Sequence, residues 1–282
     1  FLKTAGEIAI RKGKKKKEDV RMAFCGDLLG QLIASSFGIA ELGIPYYGVY
    51  GACSSIGAAL SIGAMTVNGG FADLILTGCS SHFASAEKEF RFPLGYGSQR
   101  PYSATWTVTG AGAFLLNTQK GDVQIRGITT GKIKDYGVKD PFNMGACMAP
   151  AAADTIYQSL LDFEMEPADF DQIITGDLGA VGQTLLFELL DENRKDIKKN
   201  HMDCGMQIFD EESQDTHAGG SGCACSALML SAVILPKLAS GEWKKVLFVP
   251  TGALLSQVSA NEGRTIPAIA HAVWLESGKE KK

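Results

Sequence analysis

A cationic excess is missing from this chain. Its 282 residues carry 27 Lys and Arg against 31 Asp and Glu, a formal net charge of −4, which argues against nucleic acid as a general partner. Zinc-type spacings of Cys and His are missing too. The cysteines number seven, an odd count, and several sit in apolar runs. Cys223-Ala224-Cys225 is too tight for a metal knuckle. These features predict reduced thiols of a cytosolic compartment, with no disulfide framework, no metal site and no cofactor. No signal-peptide pattern is visible, and no apolar run reads as long enough to span a bilayer.

What is present is an ordinary globular composition, 45% hydrophobic and 21% charged. A chain of this length buries a large core, as one big domain or two halves. One local exception to the charge balance is Lys12 to Lys17, KGKKKK. It is expected on a solvated loop before a strand, or against an anionic membrane or partner. The pattern at Phe1 is already helical, which predicts a segment before it.

The chemistry gathers at residues 45–62, PYYGVYGACSSIGAALSI. Tyr46 to Tyr50 reads as a short buried strand. Gly51-Ala52-Cys53-Ser54-Ser55 turns sharply, and residues 56–67 have helical spacing and small side chains. Cys53 therefore falls at a helix N-terminus, where free N–H groups and the macrodipole favour a thiolate or a bound anion. The pattern supports a nucleophile, an anion pocket, or a small core cysteine packed under the turn.

The rest of the chain repeats itself. Strands are expected at 20–28, 71–80 and 107–117, with helices at 2–11 and 30–42 and a long loop over 81–106. In the second part, strands are expected at 124–133, 170–179, 245–256 and 265–276, with helices at 149–162 and 180–190. Gly-Asp-Leu ends a strand at Asp27 and again at Asp177. Ala-Cys-Ser recurs at Cys53 and Cys225, and Thr-Gly at Gly78 and Gly252. The cues predict two stacked α/β halves, residues 1–120 and 121–282, with an insertion near 191–215. The Cys53 and Cys225 turns should then lie close together about a pseudo-two-fold.

The order of these elements, the GACSS turn and the GAGAFLL strand resemble the thiolase-like superfamily of condensing enzymes. Within it, the strings GGFAD, EFRFP, TVTGAGA, MAPAAADTI, AGGSGCACSA and TGALLS look like the stage V sporulation protein AD family. The resemblance covers nearly the whole chain from about residue 20. It implies a five-layered α-β-α-β-α sandwich of two pseudo-duplicated halves. It also implies that the first strand of the N-terminal half precedes Phe1. The implied role is binding of dipicolinate (pyridine-2,6-dicarboxylate), as free acid or calcium chelate, without catalysis. The implied place is the spore, peripheral to its inner membrane, with other proteins of the stage V sporulation A operon and room for a homodimer.

A condensing enzyme needs a thiolate and His or Asn groups for the thioester oxygen and proton transfer. Cys53 stands at the nucleophile position. The resemblance places a ketoacyl-synthase His after the strand at 173–176, where Gly176-Asp177-Leu178 stands instead. The Asn of the Gly-Asn-x-Ser motif falls near Ser221. The stretch from His217 to Gly222 resembles the thiolase His-Pro-x-Gly-x-Ser-Gly motif but lacks the Pro and is one residue short, so His217 also reads as a solvated loop residue. A second thiolase Cys is missing near Thr251 to Leu255. Cys53 is then a vestigial nucleophile in a retained pocket.

Dipicolinate needs cations or helix N–H donors for two carboxylates on one flat ring. The candidate ligand residues are Cys53, Ser54, His82, Arg91, Ser221 and Cys223. Arg91, between Phe90 and Phe92, is the stronger cation; Lys88 fits a surface turn paired with Glu87 and Glu89. Asp27 and Asp177 read as helix caps or as ligands for calcium. Two other readings remain open from sequence: an active acyltransferase using Cys53, and a purely structural subunit.

Overall fold

The computed structural model describes residues 1–90 and 100–279. The first half runs α1 (Leu2–Lys12), β1 (Met22–Asp27), α2 (Ile33–Ala40), β2 (Tyr46–Gly48), α3 (Ser55–Asn68), β3 (Leu74–Ser81), α4 (Phe83–Phe90), β4 (Trp106–Thr107) and β5 (Gly110–Asn117). Its sheet has the order β2-β1-β3-β5. β1 is parallel to β2 and β3, and β5 is antiparallel to β3. Every residue of β3 is buried. A continuous apolar strand of this kind needs cover on both faces of its sheet.

The second half runs β6 (Val123–Thr130), α5 (Met144–Asp162), β7 (Gln172–Thr175), α6 (Gly179–Asp191), β8 (His201–Asp203), α7 (Cys204–Gln207), α8 (Glu211–Gln214) and β9 (Gly220–Ser221). It continues with α9 (Cys223–Met229), α10 (Leu235–Ser240), β10 (Lys245–Val249), β11 (Thr251–Ala253), α11 (Gln257–Asn261) and β12 (Ala268–Ser277). The central order is β8-β7-β10-β12, with β6 and β11 added on β12. β7 is parallel to β8 and β10, and β12 is antiparallel to β10. The first sheet is thus repeated strand for strand and direction for direction.

Helices α1 and α2 cover one sheet, α5 and α6 the other, and α3 and α9 pack between them. This is the α-β-α-β-α layering expected from sequence. The small residues of α3 follow from that position. A Cβ on Gly57 would meet Pro250 at 3.2 Å and His271 at 3.3 Å from the second half, and one on Gly63 would meet Ile75 at 2.7 Å from the first. At the Cys53 turn, a Cβ on Gly252 would meet the Gly51 carbonyl at 2.1 Å. The two halves touch at that point.

The extra residues of the second half form α7 and α8, within the 191–215 stretch expected to hold an insertion, and continue to β9. Two details differ from the sequence reading. The stretch 81–106 holds α4 and β4 as well as loop. One run, Cys223–Ser240, is long and apolar enough by length and composition to cross a bilayer, with mean hydropathy 1.7 and 50% of it buried. Pro236 and Lys237 break its apolar pattern in the sequence. In the fold it begins in the central layer as α9 and passes through a π-helical segment, Leu230–Ile234, into α10.

Candidate functional site

A cleft opens where the C-terminal ends of the parallel strands meet, the usual place for sites in α/β sheets. Its narrow inner chamber is lined by Leu28, Ala52, Cys53, Phe90, Thr107, Met144, Ser221 and Ala253. An open and larger groove lies outside it, with Leu29, Leu32, Tyr50, Glu89, Phe90 and Leu255 on its walls. Phe90 belongs to both, so the groove leads to the chamber. Both halves build the wall: β4 pairs with β9, setting Thr107 opposite Ser221.

Cys53 is buried at the foot of α3. Ala52 before it has φ +50°, a left-handed conformation that costs a non-glycine residue roughly 1–2 kcal/mol. The turn is held by its own donors. The Ser54 N–H and Oγ donate to the Gly51 carbonyl at 3.0 and 2.6 Å, and the Ser55 N–H to Ala52 O at 3.1 Å. Ser54 therefore braces the turn from beneath, and these N–H groups are not free for a carboxylate.

Asp177 is the unexpected member of the site. It is fully buried. Its carboxylate accepts from Ser221 Oγ at 3.1 Å, the Gly222 N–H at 2.9 Å and Thr251 Oγ1 at 2.9 Å. Ser221 Oγ lies 3.9 Å from Cys53 Sγ. Burial pushes Asp177 up to about 6, against the donors that favour its charge. Burial first, and the Asp177 charge second, push the Cys53 thiol well above its ordinary range. The arrangement keeps sulfur protonated.

The two Gly-Asp-Leu copies have parted ways. Asp27 accepts from the Leu29 N–H at 2.8 Å and from the N–H and Oγ of Ser35 at 2.6 Å each, bracing the entry to α2. In the second half Asp203 performs that task, accepting from the Leu178 and Gly179 N–H groups at 2.9 and 3.1 Å. Asp177 is thereby released to hold Ser221, Gly222 and Thr251 behind the chamber wall. Both carboxylates are taken up by these donors, and among the described residues no group of three or more His, Cys, Asp and Glu could hold a metal ion.

The chain has four histidines, and none lines the chamber. His82 is exposed and stacks on Phe1 with ring centroids 5.9 Å apart. His201 is wedged between Thr175 and Gln183 at 3.0 Å from each, and burial lowers it to about 4. His217 sits on a loop, with Nδ1 3.0 Å from the Pro101 carbonyl and Nε2 3.2 Å from Asp215. His271 accepts the Gly131 N–H at 3.4 Å.

Cys223 turns toward the first sheet, donating to Ser80 O at 3.0 Å, and takes no part in the chamber wall. Lys88 is exposed. Its expected partners are engaged elsewhere: buried Glu87 accepts from Thr107 Oγ1 at 3.0 Å, and Glu89 from the Gly30 N–H at 3.0 Å. Arg91 lies outside the described residues. Of the sequence candidates, the structure brings together Cys53 and Ser221. The sequence reading missed Phe90, Thr107 and Met144 as lining, and the inward role of Asp177 and Thr251. The repeated Gly-Asp-Leu and Thr-Gly cues were the signal for the last two.

The sequence profile of the stage V sporulation protein AD family matches residues 1–276. Stage V sporulation protein AD of Bacillus subtilis (strain 168) is 42% identical over 276 residues, covering 98% of this chain and 81% of that protein. Among solved structures, a tetronic acid condensing enzyme superposes with a TM-score of 0.65 at 17% identity, over 98% of this chain and 85% of its own. The 3-oxoacyl-[acyl-carrier-protein] synthase III of Aquifex aeolicus VF5 gives 0.64 at 15% identity, over 98% and 83%. At such identities these structures establish the thiolase-like fold alone. The profile and the Bacillus relative decide the rest: the chain belongs to the stage V sporulation protein AD family.

Proposed function

We propose that this chain is a non-catalytic binder of dipicolinate, acting in the apparatus that moves this compound into or out of the spore. The observation that carries the reading is the buried Asp177 carboxylate behind Ser221. Acyl transfer needs a thiolate, with imidazole or amide donors at the thioester oxygen. Here a carboxylate faces the thiol, and no imidazole is near it. The pocket is kept while its base is gone.

Tyr50, Phe90 and the leucines of the groove suit a flat ring. Glu89 stands among them, and no cation does among the described lining residues. A dianion needs charge compensation there. Arg91, next to Phe90 in the chain, is the sequence's candidate. A calcium chelate arrives already neutral and suits the acidic lining better than the free acid. A peripheral place at the inner spore membrane, beside proteins of the same operon, belongs to this reading.

Calorimetric titration tests it, with dipicolinate, dipicolinate plus calcium, and an acyl-CoA in parallel. Binding of dipicolinate, tighter with calcium, is expected. Arg91→Ala should weaken it about ten- to a hundredfold, the usual loss for one charge-assisted contact. His82→Ala should change nothing, since His82 lies outside the cleft. Steady condensation or thiolysis that is lost in Cys53→Ala would overturn the reading in favour of an enzyme. No dipicolinate binding by the folded protein would leave a structural subunit.

A further inference from the structure

The two halves carry the same turn with opposite charge. After α1, Lys14 adopts φ +52°. Its N–H donates to Arg11 O at 3.0 Å, the Lys15 N–H to Ile10 O at 3.1 Å, and the Lys16 N–H to Asp19 Oδ2 at 2.8 Å. After α5, Glu164 adopts φ +52°. Its N–H donates to Leu161 O at 3.2 Å, the Met165 N–H to Leu160 O at 2.9 Å, and the Glu166 N–H to Asp169 Oδ2 at 2.8 Å. The backbone needs this turn in both places. It does not need lysine, because the second copy is built from Asp162, Glu164, Glu166, Asp169 and Asp171.

The first copy, residues 11–21, holds seven Lys and Arg against Glu18 and Asp19, in a chain whose total charge is −4. All seven cations are exposed except Lys15, which is half-buried. None of them forms an ion pair among the described residues. The patch is a fixed turn, not a loose tail, and its charge is unneutralised. It precedes β1, while the cleft lies beyond the other end of that strand. Six residues of strand set the two apart by roughly 20 Å.

We propose that residues 11–21 are a docking surface for an anionic phospholipid bilayer. A plane meets one pole of the molecule and leaves the acidic remainder away from it. A long polyanion such as duplex DNA would run on past the patch into that repelling surface. The segment also has no aromatic side chain on which bases could stack. Docked this way, the cleft faces away from the lipid and stays open to ligand. The inference stands on charge and turn geometry, independent of what the cleft binds.

The test is sedimentation of the full chain with vesicles of phosphatidylcholine alone or mixed with phosphatidylglycerol, at low and physiological salt. Binding to the mixed vesicles alone is expected, weakening as salt shortens the screening length. Each basic group near an anionic surface contributes roughly fivefold to partitioning. Replacing Lys14, Lys15, Lys16 and Lys17 together by Gln should cost several hundredfold, about 600-fold if the four contributions add. Replacing Lys198 and Lys199 by Gln should cost little. Circular dichroism checks that the variants fold, and the salt titration of the parent protein stands without them. No binding of the parent to phosphatidylglycerol vesicles overturns the proposal. So does binding insensitive to salt or to the four substitutions, or binding of duplex DNA without binding of vesicles.

Discussion

Cys53 and Asp177 decide what chemistry is open to this pocket. A thiol beside a buried carboxylate loses its proton only at high pH, because ionising it would place two negative charges in one dry site. Asp177→Asn removes one of those charges. Iodoacetamide labelling of Cys53, followed by peptide mass spectrometry, should then begin at lower pH, with about tenfold faster labelling at neutral pH per pKa unit gained. Identical pH profiles for parent and variant would show that burial alone controls the sulfur. The residue types at this site were legible in the sequence, since Cys53, Ser221 and Asp177 all sit in recognisable strings. The orientation of Asp177 was not. It depends on Asp203, distant in sequence, having taken over the N–H groups at Leu178 and Gly179. His82 lies outside the cleft for a similar reason. Its place after a strand end was right, but its ring leaves the cleft and stacks on Phe1.

At the level of elements, the junction between β11 and the Cys53 turn holds the halves in register. Gly252 has no room for a side chain: a Cβ there would meet the Gly51 carbonyl at 2.1 Å and the Ser54 nitrogen at 2.9 Å. Both are backbone atoms that cannot step aside. Gly252→Ala should lower stability by about 1–3 kcal/mol, the usual cost of overpacking, read as an earlier urea midpoint. Gly121→Ala, whose nearest such contact is Val123 O at 3.5 Å, should leave the midpoint unchanged. Equal midpoints for both variants would mean that the junction yields. The strand repeat was legible because Gly-Asp-Leu, Ala-Cys-Ser and Thr-Gly mark strand ends, where the backbone tolerates few residue types. β8 was not legible, because three residues, His201–Asp203, carry no period of their own. The start of α5 was placed too late. Pro150 read as a helix opening, whereas the helix is capped at Asn143 and contains Pro150 within it.

Across the whole molecule, buried acids and buried histidines pull stability in opposite directions over one pH range. Asp177 is raised from 3.8 to about 6. The native state therefore takes up its proton before the unfolded chain does, and stability rises as pH falls from about 6 toward 3.8. His201 is lowered from 6.5 to about 4. The unfolded chain takes that proton first, so stability falls as pH drops from 6.5 toward 4. Asp203 is raised and His271 lowered, both by burial, adding one contribution to each side. A shift of two units corresponds to about 3 kcal/mol, so the Asp177 and His201 contributions oppose each other at similar size. Urea midpoints of the parent protein should vary little between pH 6.5 and 4. Asp177→Asn leaves the histidine contribution uncompensated, and its midpoint should fall on acidification. His201→Gln leaves the carboxylate contribution, and its midpoint should rise over the same range. Asn keeps the shape of Asp177, whereas Gln lacks the His201 ring and shifts the absolute midpoint, so the slope with pH is the measurement. Two variants with the parent's flat profile would show that neither buried group holds its proton differently in the folded chain.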